Sequence, residues 1–222
     1  VREVTGEFLL FLDDDSWLLD VGFLAECARR LRATPGLGMV QPRIVDPERR
    51  GDEPTRWIPR IRKGNPRSSS VAFSVAETVL VLRRAVFDAT GGWPEPFFYA
   101  HEGIELAWRI WDTGYRVEYH GDLEVGHPVV DPARHDEYLR LNARNRVWLA
   151  RRCLPWPFSW TYVLSWTAVQ VARTRDSAEL STWFSGWRRG WREEPWPRGQ
   201  RPPRVSWGTI ARMTRHGRPP VI

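Results

Sequence analysis

Apolar and polar positions follow two rhythms along the chain. Phe8 to Leu12 is an unbroken apolar run, the pattern of a strand covered on both faces in a mainly parallel sheet. Asp20 to Ala33 changes to helical spacing: Phe23, Leu24, Cys27, Ala28 and Leu31 recur on one side, and Pro35-Gly36 closes the segment. GMVQPRIV predicts the next strand and TVLVLRR, from Thr78 to Arg84, another. Between them Asp46 to Ser70 is rich in Arg, Pro, Gly and Ser and reads as a long loop with an exposed or clamping role. Ala85 to Thr90 predicts a short helical turn, and Gly91-Gly92 with Pro94 and Pro96 a tight connection. HEGIELAWRIWDTG returns to helical period, with Ile104, Ala107, Trp108 and Trp111 on one face, Glu102, Glu105, Arg109 and Asp112 on another, and Gly114 as the stop. YRVEYH alternates as an exposed edge strand would, leading toward His127, and EYLRLNARNRVWLARR is helical again. From about Leu154 the chain is a Trp-rich amphipathic stretch, a Pro/Arg/Gly linker around Pro195 to Pro203, and a basic tail.

Chemistry enters where the first apolar run ends. Asp13, Asp14 and Asp15 follow it directly, and in open α/β sheets ligands bind at the carboxyl ends of strands. Strand alternation places Asp13 and Asp15 on one face and Asp14 on the other, so two carboxylates can converge on one cation. Hard oxygen ligands favour Mg²⁺ or Mn²⁺, whose shell is completed by water and substrate phosphates. The same triplet also suits a solvated turn capping the next helix. It further matches the Asp-x-Asp of a haloacid-dehalogenase-type phosphatase, with Asp13 as nucleophile, but that chemistry expects a lysine near the phosphate and Lys63 is the sole lysine. Glu102 stands at a helix start, where the dipole favours an acid. Glu105 and Arg109, at i and i+4, suit an ordinary surface pair. His127, in EVGHPVV, gains meaning as a ligand beside an acidic metal site.

Composition narrows the partners. A chain of 222 residues with 42% hydrophobic content supports one sizeable core with an appendage. The net charge of +6 would suggest nucleic acid or an anionic membrane, but the bases are nearly all arginine, a bias that GC-rich coding produces, and no nucleic-acid motif accompanies them. Nucleic acid is therefore not expected. Cys27 and Cys153 fit no metal or redox spacing and read as reduced structural thiols, which points to the cytoplasm. Leu154 to Ala172 contains Pro155, Pro157 and three tryptophans, a poor membrane-spanning composition. Its Trp and Arg residues suit peripheral contact with a membrane surface, or packing against the rest of the chain. Strand-like sequence so soon after Val1 suggests that an upstream part is missing.

Taken in order, LDDD, then LRRAVFDATGGWPEPFFYAHEGIELAWRIWDTGYRV, then VGHP and RLNARNRVWLARRCLP resemble the family 2 glycosyltransferases of the GT-A fold. The likeness is nearest to the rhamnosyltransferase-like, cell-wall branch common in actinobacteria, and covers most of residues 3 to 155. It implies an α/β, Rossmann-like fold with a mixed, mostly parallel sheet flanked by helices and the N-terminal nucleotide-binding strands missing. Residues 1–153 would form a partial catalytic domain and residues 154–222 an amphipathic helical extension with a basic tail. The family's DXD motif falls on Asp13 to Asp15, implying Asp13 and Asp14 at the nucleotide sugar and Asp13, Asp15 and His127 on a divalent cation, Mg or Mn. The catalytic base falls on Glu102, with Glu105 one turn later as the alternative. Trp93 is assigned to the donor site, and Trp57 stands second to it. The implied activity is metal-dependent, inverting sugar transfer from a nucleoside diphosphate to a glycan or lipid-linked acceptor of the cell envelope, at the inner face of the plasma membrane. One departure stands out: the family's second acid at the helix start is Gly103 here, which leaves open a catalytically impaired homologue that binds donor or scaffolds an assembly at the membrane.

Overall fold

The computed structural model describes residues 4–51, 53–59, 62, 64–130, 137–197 and 200–217. They pack as two units, Val1–Gly92 with Arg109–Val130, and Trp93–Trp108 with Asp131–Ile222.

The first unit is built on a six-stranded sheet of β1 (Phe8–Leu12), β2 (Trp17–Leu18), β3 (Leu37–Val45), β4 (Ser70–Val71), β5 (Val79–Arg83) and β6 (Arg116–Gly126). The order is β1-β5-β3-β6-β2, with β4 also paired to β6. Helices α1 (Phe23–Ala33) and α2 (Arg84–Thr90) belong to this unit. Phe23, Cys27 and Leu31 fall at i, i+4 and i+8 of α1 and enter a core with Leu37, Val40, Val79, Val81 and Val125. Full burial of Leu31 is worth about 1.5–3 kcal/mol. Burial also pushes the Cys27 thiol up to about 12, and both cysteines are buried and in no disulfide, which suits the structural role expected of them.

The mixed α/β class with helices against a sheet agrees with the sequence reading. The expected parallel majority does not hold: among the described residues β3·β6 is the parallel pair, and β1·β5, β3·β5, β2·β6 and β4·β6 are antiparallel. An apolar run reports cover on a strand's faces and carries no trace of its neighbour's direction. β1 is in fact an edge strand with partly exposed faces. YRVEYH has the opposite correction. It begins β6, a central strand, and its alternating polar side chains find partners instead of water: Glu118 binds Arg116 and His120, and Glu124 binds Arg43. Helix α1 starts at Phe23, later than the expected Asp20, because Asp20 accepts the Gly22 N–H at its side chain (2.7 Å) and the Phe23 N–H at its carbonyl (3.1 Å).

In the second unit α4 (Tyr138–Cys153), α5 (Phe158–Arg173), α6 (Ser177–Arg192) and α7 (Trp207–His216) account for most of the described residues. Two glycines set the closest contact. A Cβ at Gly186 would strike the Arg140 carbonyl, and one at Gly190 would lie 2.9 Å from the Arg144 carbonyl and 2.7 Å from Val147, so α6 lies directly against the α4 backbone. Helix-interior glycine costs about 1 kcal/mol relative to alanine, which this contact offsets. Helix α3 (Glu102–Asp112) begins in the second unit and ends in the first. No helix among the described residues is long and apolar enough to cross a membrane. Lys63 and the end of the basic tail lie outside the described residues.

Candidate functional site

Strand direction decides where the acids fall. β5 is antiparallel to both β1 and β3, so those two run the same way, and β6 is parallel to β3. Their C-terminal ends therefore share one edge of the sheet, and the residues that follow them are Asp13, Asp46 and His127. β3 and β6 end in register, Val45 opposite Gly126, and the His127 N–H donates to the Val45 carbonyl at 3.0 Å. Asp13 is fixed by its own N–H, which donates to the Thr78 carbonyl at 3.0 Å.

β1 stops at Leu12, so alternation along a strand is not what pairs the aspartates. Asp13 to Ser16 form a turn closed by the Ser16 N–H on the Asp13 carbonyl (3.0 Å), and Asp15 lies within that turn beside Asp13. The chain then enters β2, where Trp17 pairs with Gly126 and lies so close that a Cβ at Gly126 would overlap the indole. This pairing brings the turn to the residue preceding His127. Ligand atoms of Asp13, Asp15 and His127 all lie within 4.8 Å of one another, and His127 Nε2 is 3.2 Å from Asp15 Oδ1. Asp14 is exposed and outside this group.

The Asp13 carboxyl is held above the ordinary carboxylate range, first by loss of water around the carboxyl and then by the charge of Asp15, although solvent still reaches the side chain. No arginine pairs with Asp13 or Asp15 among the described residues. Two carboxylates without an arginine partner and an imidazole form a donor set suited to Mn²⁺ or Mg²⁺. The residues present thus fit a divalent cation, with Asp13, Asp15 and His127 to hold it.

His127 is 6% exposed and supported from behind. Trp57 meets its ring edge-on at 5.2 Å, and the Trp57 carbonyl accepts a hydrogen bond from Gln41 Nε2 at 2.7 Å. Trp57 is itself buried, so its contact is with the histidine and not with an open sugar face. Asp46 accepts the N–H groups of Val129 (2.8 Å) and Glu48 (3.0 Å), which hold its carboxyl below the ordinary range and fix the segment after His127. Arg43 on β3 ties the loop after that strand to β6 through part-buried pairs to Glu53 (2.5 Å) and Glu124 (2.7 Å). Asp46 and Gln41 escaped the sequence reading. The position of Asp46 directly after a strand was the signal that would have found it.

Glu102, Glu105 and Trp93 belong to the second unit. Glu102 is the half-buried first residue of α3, Gly103 is buried beside it, and Trp93 is half-buried. The backbone leading into Glu102 is strained: Phe98, Ala100 and His101 have φ of 63°, 66° and 76°. Such conformations cost about 1–3 kcal/mol each in residues other than glycine. Asn145 on α4 offsets that cost, donating from Nδ2 to the carbonyls of Phe97 (3.0 Å), Tyr99 (2.5 Å) and Ala100 (2.9 Å). Arg144 Nη2 donates to Phe97 as well (3.0 Å). Burial, then the charge of Arg146, pushes the His101 pKa well below its ordinary value, so its ring stays neutral. Glu105 is not a surface residue. It is fully buried and held at both oxygens by Arg152, at 2.7 and 2.9 Å, while Arg152 Nη1 also donates to the Pro195 carbonyl. The signal for Asn145 was an amide on the apolar side of a helix.

Set against known proteins, the chain matches no family model and no curated protein sequence. Solved structures do match. A mannosyltransferase from Pyrobaculum calidifontis in complex with GDP-Man and Mn²⁺ is similar at 17% identity and a TM-score of 0.50, over 96% of this chain and 55% of that one. GalNAc-T7 with UDP, GalNAc and Mn²⁺ is similar at 14% identity and a TM-score of 0.52, over 86% and 41%. S. aureus TarS with UDP-GlcNAc is similar at 13% identity and a TM-score of 0.51, over 85% and 59%. The fold is accordingly that of the GT-A glycosyltransferases, and the chain spans about half the length of the structures it matches.

Proposed function

We propose that this protein is a metal-dependent glycosyltransferase that moves a sugar from a nucleoside diphosphate to a hydroxyl of a glycan or lipid-linked acceptor, with inversion. The observation that carries the reading is the convergence of Asp13, Asp15 and His127 at the carboxyl edge of a sheet with this fold. A cation bound there supplies charge neutralisation to the departing diphosphate. Asp13 and Asp15 hold that cation with His127, Asp14 contacts the nucleotide sugar with Asp13, and Trp93 borders the donor. Glu102 takes the proton from the acceptor hydroxyl as its oxygen bonds to the anomeric carbon and the bond to the diphosphate breaks. The buried pair of Glu105 with Arg152 favours Glu102 as base. Residues 1–153 form the catalytic domain in this reading and 154–222 its extension, and the setting is cell-envelope polysaccharide synthesis of the rhamnosyltransferase-like branch at the inner face of the membrane.

The test is a panel of nucleoside-diphosphate sugars with an acceptor mixture, reading released diphosphate with and without Mn²⁺. Release that requires Mn²⁺, with Glu102→Gln keeping donor affinity and losing at least about a hundredfold in turnover, supports the reading. Failure to bind any donor in the presence of Mn²⁺ removes it. A second reading rests on Gly103: donor binding without turnover in the parent chain identifies an impaired homologue that acts by binding.

A further inference from the structure

The excess of positive charge has an address. From Leu154 onward eleven arginines face four carboxylates, whereas the preceding residues carry 22 basic side chains against 23 acidic ones. Two of those arginines, Arg201 and Arg204, line a cavity of about 220 Å³ together with Arg151, Trp160, Trp191 and Trp196. Trp160 and Trp191 stack at 4.9 Å and 22° to form one wall, and Arg151 and Arg201 lie over the Trp196 ring at 5.6 and 4.9 Å. Arg151 is locked in place by the carbonyls of Gly190 (2.5 Å) and Glu193 (2.6 Å). Neither Arg201 nor Arg204 has an ion pair among the described residues. Desolvation first, and the Arg201 charge second, lower the pKa of both Arg151 and Arg204, with Glu194 offsetting part of the effect at Arg151.

Trp160, in the cavity wall, is also one of several exposed apolar side chains on and beside α5. On α5, Trp160 and Leu164, one turn apart, are 49% and 60% exposed and Val171 is 45% exposed, and Trp156, which precedes the helix, is 68% exposed. Trp207, 58% exposed, meets Phe158 at the start of α5 edge-on at 5.3 Å. Exposed Leu and Val beside Trp supply none of the polar groups that orient a sugar or a nucleotide, and exposed apolar patches on a protein surface mark interaction sites. Trp at the headgroup level, aliphatic side chains below it and arginines toward anionic phosphate form the arrangement of an interfacial contact.

We infer that the α5 face with Arg151, Arg201 and Arg204 is a docking surface for an anionic phospholipid bilayer, the arginine-lined cavity receiving a headgroup phosphate and Trp156, Leu164 and Trp207 entering the interface. The cavity is smaller than the ~300–1,000 Å³ of clefts for drug-sized ligands, which suits a phosphate ester head and not a glycan chain. The inference deepens the membrane-side part of the proposed function, but it stands on the second unit alone, so it can fail while donor binding holds.

The experiment is flotation of the full chain with vesicles of phosphatidylcholine alone or of phosphatidylcholine mixed with phosphatidylglycerol, alongside donor binding on the same samples. Expected results are flotation with the anionic vesicles only, weakening with salt, and at least tenfold weaker binding by Arg201→Gln/Arg204→Gln and by Trp156→Ser/Leu164→Ser. A charge-matched control, Arg67→Gln/Arg84→Gln, is expected to float as the parent does. Equal binding to both vesicle types, loss of binding by the control pair, or no flotation while donor binding persists would each overturn the inference. So would competition by millimolar glycerol phosphate that removes the protein from vesicles, which would make the cavity a site for a soluble phosphate ester.

Discussion

Asp13 and Asp15 repel one another, and Asp13 also loses hydration, so their proximity lowers the stability of the metal-free chain. Natural proteins keep such arrangements where a ligand needs them. Asp13→Asn removes one charge without changing shape. Calorimetric titration should show loss of Mn²⁺ binding by this variant, while its melting temperature without metal equals or exceeds that of the parent; a lower one would mean that Asp13 serves the fold. The local sequence left the two acids between a cation site and a solvated turn, and the ordered resemblance along the chain made the cation legible. Their partner was less so, since nothing local to His127 says that β3 and β6 end in register. The cause of convergence was misread too: strand alternation and a turn both bring residues i and i+2 together, and only the Ser16-to-Asp13 hydrogen bond separates them.

At the scale of elements, α4 joins two pieces of the second unit that are far apart in sequence. Asn145 holds the strained segment before Glu102, and Arg152, two turns on, holds Glu105 within α3. These two contacts should fail differently. Glu105→Ala strands the buried Arg152 guanidinium and should cost about 3–5 kcal/mol in urea unfolding. Asn145→Ala takes a donor from the Tyr99 and Ala100 carbonyls, Phe97 keeping Arg144, and frees a backbone that prefers other conformations, so about 1–3 kcal/mol is expected in the same measurement. Under the proposed function its turnover falls with donor affinity kept, because Glu102 is no longer positioned. Helix α3 was legible from its periodicity and Gly114, and α4 from its own repeat. The left-handed residues Phe98, Ala100 and His101 were not, because such conformations are ordinarily marked by glycine or asparagine and here are imposed from a distance.

The chain as a whole passes between its two units three times, after Gly92, after Trp108 and after Val130, and the middle passage lies inside α3. Neither unit can unfold without fraying a helix whose other end belongs to its companion, and neither is a continuous stretch of sequence that could detach at a linker. Calorimetry is therefore expected to record one transition and not two. A ligand held by the first unit should move all of it: Mn²⁺ at a hundred times its dissociation constant adds about 2.7 kcal/mol by mass action. For a chain of this size that corresponds to about 5–11 °C in Tm, at roughly 2–4 °C per kcal/mol. His127→Ala should keep the single transition and lose the shift. Two transitions with only one responding to Mn²⁺ would show that α3 melts at the Trp108-Arg109 boundary, and that the cation site and Glu102 are stabilised independently.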